Sequence, residues 1–107
     1  MERVLKDRRF TEGLRLFDSG QFFDAHEEWE DLWRDMEKDD PYRDFVRGLI
    51  MVAAAYHKFF VHENPRGATG LFRKAFDRLD RYDIPEDLKG RVERARNFYR
   101  MLLEKLI

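Results

Sequence analysis

Two histidines and two glutamates supply the residue types from which a site can be built. His26-Glu27-x-x-Glu30 lies in one short stretch, and His57 follows further along. A histidine and a glutamate four apart on a helix stand one turn apart on the same face. Such a pair can share a divalent metal, and His57 could supply a third ligand. Glu27 would then act as a base or outer ligand, with hydrolysis by a metal-activated water as the chemistry. The metal candidates are therefore His26, Glu30 and His57, and the catalytic candidates are Glu27 and Glu30. A small polar ligand fits the same place, with a ligand-binding set of His26, Glu30, Trp33, Tyr56 and His57, the tryptophan and tyrosine as walls. The opposing reading makes both histidines packing groups, hydrogen-bonded to Glu30 or to backbone. His-Glu-x-x-His, a Gly-rich phosphate loop, a nucleophile elbow and paired Glu-x-x-His are all missing from the sequence.

The element that must position His26 is a helix from about Phe22 to Glu37. At 100° per residue, Phe22, Ala25, Trp29, Leu32, Trp33 and Met36 share one arc, a core face. Asp24, Glu28 and Asp31 fall opposite. His26 and Glu30 sit on the shoulder, where a polar group is partly desolvated yet reachable. Glu27 lies further out, beside Arg34. Trp29 and Trp33 are read as core or pocket wall.

Four more helices follow from the same periodicity. The first, about Lys6 to Ser19, carries Phe10, Leu14 and Phe17 and stops at Gly20, a left-handed cap. A short connection makes it an antiparallel neighbour of the second. Asp40 and Pro41 are expected to cap and open the third, about Tyr42 to His62. That helix is apolar around most of its circumference, which predicts a buried central position. His57 falls inside its apolar arc and His62 on its polar strip, with no role. Asn64-Pro65 opens the fourth, striped by Ala68, Leu71, Phe72, Ala75, Phe76 and Leu79. The fifth, about Pro85 to Leu106, repeats Leu88, Val92, Ala95, Tyr99, Leu102 and Leu106 as a heptad seam that packs on the bundle or dimerises. No strand signal occurs. The expectation is all-α: residues 1–107 as a single compact domain of about five helices.

Composition limits what the chain does. Its 107 residues include no cysteine, so disulfides and thiolate metal sites are excluded. Charged residues make up 40%, and Gln21, Asn64 and Asn97 are the only side-chain amides, a balance that suggests a thermophilic source. Met1-Glu2-Arg3 opens into a charged segment, and no apolar run approaches the roughly 20 residues of a membrane span, so a cytoplasmic protein is expected. Residues 1–57 hold 9 basic and 14 acidic side chains, and residues 58–107 hold 12 and 8. The basic face Arg66, Arg73, Lys74, Arg78 and Arg81 lacks interleaved aromatics and a helix-turn-helix pattern, which argues against nucleic-acid reading.

The run Phe23-Asp24-Ala25-His26-Glu27, with Glu30 and Trp33-Arg34 behind it, is followed by Phe45-x-x-Gly48-Leu49-Ile50, Ala55-Tyr56-His57 and Asn64-Pro65-Arg66-Gly67-Ala68. In that order these motifs resemble the small bacterial and archaeal domain-of-unknown-function 309 family, over about Leu14 to Leu79. The resemblance implies a helical bundle of unassigned function and points to His26, Glu27, Glu30, Trp33, Gly48, His57 and Gly67. One departure is Met51, where the family tends to have glutamine.

Two functions fit these residues. One is a site-bearing domain with the histidine–glutamate cluster between the second and third helices. The other is an interaction module that holds a protein partner or a second copy as a homodimer, its cluster purely structural.

Overall fold

Six helices follow one another with no strand between them, and the computed structural model describes residues 1–107. They are α1 (Glu2–Lys6), α2 (Arg8–Asp18), α3 (Phe22–Asp35), α4 (Arg43–Phe60), α5 (Pro65–Leu79) and α6 (Glu86–Leu106). The sixth arises because the first expected helix is cut at Asp7. That residue is extended, at φ -68° and ψ 133°, and its carboxylate accepts the Arg9 N–H at 2.8 Å. An aspartate capping a new helix competes with continuing the old one. Other boundaries shift by one or two residues. Asp40 caps the turn before α4, accepting the Tyr42 N–H at 2.8 Å, and is not itself the N-cap. Asn64 and Pro65 act as expected, with the Asn64 side chain accepting the Gly67 N–H at 2.8 Å.

Gly20, at φ 79°, turns the chain between α2 and α3 into a hairpin. The hairpin closes on Trp29, whose indole is 1% exposed and donates to the Phe10 carbonyl at 3.2 Å. Gly13 makes room for it. A Cβ there would lie 2.7 Å from the indole Cε2 and closer still to Nε1.

α4 packs against both α3 and α5, and α5 against α6. Within α4 only Asp44 and Phe60 are exposed. Its Phe45, Val46, Ile50, Ala53 and Ala55 join Trp29, Phe72, Ala75 and Leu79 in one apolar cluster. The α6 seam turns inward, with Leu88, Val92, Ala95 and Leu102 buried. Arg91 of α6 also grips Asp18 at the end of α2, at 2.8 and 2.6 Å. No helix is long and apolar enough to cross a membrane.

Two substitutions measure the hairpin lock in urea unfolding. Trp29→Ala should cost about 3–5 kcal/mol, the range for truncating a buried aromatic. Gly13→Ala should cost about 1–3 kcal/mol by overpacking. A neutral Gly13→Ala would mean that the indole is free to move aside.

Candidate functional site

With Ala25, Trp29 and Leu32 buried, α3 carries His26 and Glu30 at the edge of the core, their side chains 23% and 20% exposed. His26 Nε2 lies 3.2 Å from Glu30 Oε2, and the other Glu30 oxygen accepts from Arg34 at 3.1 Å. Three side chains at successive i, i+4 positions thus form a ladder along α3. His26 Nδ1 lies 3.6 Å from Glu27 Oε1, beyond hydrogen-bond length, and is buried with no partner.

His57 does not join this ladder, and no three His, Asp or Glu side chains stand where they could hold a metal ion. The expected metal set of His26, Glu30 and His57 therefore does not form. Glu30 is drawn along α3 by Arg34, whereas His57 reaches from α4 to the Phe23 ring, with centroids 5.3 Å apart. Trp33 is no wall of the site. It lies about two turns beyond His26, beneath the guanidinium groups of Arg43 and Arg47 at 3.9 and 4.9 Å from the ring centroid. Tyr56 is not a wall either. Its ring turns inward and packs among Phe17, Phe22, Phe72 and Phe98. Burial there pushes the Tyr56 hydroxyl pKa up.

His26 and His57 instead face a shared cleft of about 200 Å³. Phe23 and His26 come from α3, Ala54, His57 and Lys58 from α4, and Leu71 from α5. His62 completes it from the turn after α4, so all three histidines of the chain line one cleft. The His57 and His62 rings meet edge to face with centroids 5.0 Å apart. That meeting depends on how α4 ends. The Val61 and His62 N–H groups both donate to the His57 carbonyl, at 2.9 and 3.4 Å, which curls the chain back. Phe23, Ala54, Lys58, His62 and Leu71 are the cleft residues that sequence reasoning did not place in the site. The signal for His62 was its place just before Asn64-Pro65, outside regular helix.

The His57 pKa is lowered from the ordinary 6.5, first by burial, then by His62, His26 and Lys58.

The sequence profile of one family, described as Domain of unknown function (DUF309), matches residues 10–71, more than half of the chain. The chain belongs to the DUF309 family. No curated protein and no solved structure matches it. Every residue lining the cleft falls inside the DUF309 span, and α6 lies wholly outside it. Of the positions named from the family resemblance, only His26 and His57 line the cleft. Met51, the departure, places its sulfur 3.6 Å from Arg78 Nη1.

The depressed His57 sets a pH dependence. The unfolded chain binds its proton more readily, so stability from this group is present above pH 6.5 and is lost as pH falls through the lower folded pKa. The groups around it are Lys58 on its own helix, His62 in the turn, and His26 with Glu27 and Glu30 on α3, while α5 lines the cleft with Leu71 alone. His57→Gln should flatten the loss of stability on acidification below about pH 6.5. An unchanged difference between pH 7.5 and 5, each about the edge of the histidine range, would show that His57 titrates normally.

Proposed function

We propose that this DUF309 protein binds a small polar molecule in the cleft between α3, α4 and α5. The observation that supports this best is the convergence of all three histidines and Lys58 on one open space. Imidazole both donates and accepts hydrogen bonds, and an ammonium donates three, so the lining offers a ligand several donors with few internal partners. A metal ion does not fit this arrangement, because no three His, Asp or Glu side chains converge and Glu30 is committed to His26 and Arg34. Glu30 acts on a ligand only through His26, as the group that orients its ring, and Glu27 lies beyond hydrogen-bond length from that ring. Residues 1–107 work as one domain, which is supported by a single apolar cluster running from Val4 to Leu102.

A second reading is favoured by Phe60 and Val61, 56% and 62% exposed at the end of α4. An interaction module would dock a partner there, and the histidines would be bystanders.

Amide NMR separates the two. Mixtures of small carboxylates, phosphates, polyols and amines at millimolar concentration should include a class that moves Phe23, His57, Lys58, His62 and Leu71 together and leaves Trp33 in place. No response at those residues from any class would contradict the proposal.

A further inference from the structure

We infer that the ligand is a small carboxylate with an apolar body, its charged end at His57, Lys58 and His62 and its body against Phe23 and Leu71. This rests on the cleft being a binding site and adds the chemical class of what it takes. Three observations carry it.

The first is charge. The lining contains no carboxylate, and Lys58 and His62 form no ion pair. Glu27 and Glu30 lie on the His26 side, where Glu30 is already shared with Arg34, and Glu63, which follows His62, does not line the cleft. The Lys58 ammonium is therefore a positive charge that the protein leaves uncompensated, with His57 and His62 beside it as further donors, and an oxyanion supplies what is missing.

The second is the apolar part of the lining. Phe23 is 51% exposed, stands 5.3 Å from the His57 ring, and is joined by Ala54 and Leu71. A half-exposed phenyl ring in the same cleft as a leucine favours a ligand that also has something apolar to bury. A bare inorganic ion would leave this wall wet.

The third is size. Cavities of about 150 Å³ accept a benzene ring, whereas drug-sized molecules use about 300 Å³ or more. A space of about 200 Å³ suits a single ring or a short branched chain carrying one carboxylate.

The same geometry makes binding take up a proton. Without a ligand, burial and three neighbouring cationic or titrating groups (His62, His26 and Lys58) disfavour the charged form of His57. A carboxylate beside it reverses the sign of the local field and favours imidazolium. Affinity should rise as pH falls through the histidine range, while the ligand carboxylate, with a pKa near that of a glutamate side chain, stays ionised.

The test is a titration of the intact protein with benzoate, acetate, benzyl alcohol and inorganic phosphate, followed by histidine ring NMR and calorimetry at about pH 6 and about pH 8. Benzoate should move the rings of His57 and His62, bind several-fold tighter at the lower pH with proton uptake, and outcompete acetate and benzyl alcohol. Lys58→Met should weaken benzoate about tenfold, equivalent to about 1.4 kcal/mol. His62→Gln, at an exposed position, is the second variant should the first fail to fold, and it too should weaken benzoate. Benzyl alcohol or phosphate binding in the cleft as well as benzoate does would overturn the carboxylate assignment while leaving the binding site standing. No response of the cleft to any of the four, and none to the wider mixtures, would remove both.

Discussion

The seat of Trp29 on Gly13 governs where everything on α3 points. An indole held by a hydrogen bond to the Phe10 carbonyl cannot rotate about the helix axis without losing that bond and its buried surface. With Trp29 inward, Ala25 and Leu32 must also face in, and Phe23 and His26 are left three residues apart on the outer edge. α4 is fixed in the same way by Val46, Ile50 and Ala53, which put Ala54, His57 and Lys58 on one rim. The cleft is the gap between two such rims. Its shape is a by-product of core packing, and its chemistry comes from what the sequence places there.

That chemistry is poorly compensated inside the protein. A histidine kept only for packing finds partners for its ring nitrogens. His26 Nδ1 is buried without one, an arrangement that costs about 1–3 kcal/mol in a typical interior. His57 is desolvated beside two other histidines and a lysine. Two such choices at one open cleft fit a fold that serves a ligand, although Arg43 Nε and Arg78 Nε are buried without hydrogen-bond partners outside it. The surface ion pairs elsewhere, such as Arg91 with Asp18, instead tie helix ends together.

Most of the helices were legible because their apolar residues recur with the helical period, and the ends were legible at Gly20 and Asn64-Pro65. Asp7 was missed because a single capping residue inside a charged run gives little periodic signal. The histidine–glutamate pair on α3 was legible from spacing alone, since both residues belong to one helix. The expected third partner was not. A helical wheel gives the direction of His57 about its own axis but not its depth against α3, and the two helices bring it to Phe23 rather than to Glu30. Tyr56 does not share the space with His57, because its ring is drawn inward among Phe17, Phe22, Phe72 and Phe98. His62 was assigned as though α4 continued regularly, whereas the helix stops at Phe60 and the turn carries the ring back onto His57.

The three histidines share one cleft and feel one another. Histidine ring NMR across the acid range, on the wild type and on His26→Gln and His62→Gln, tests it most directly. His57 should titrate below the ordinary value of 6.5, and each substitution should raise its pKa, because each removes a neighbouring positive charge. Three independent titrations near the ordinary value, with His57 unmoved in both variants, would contradict it.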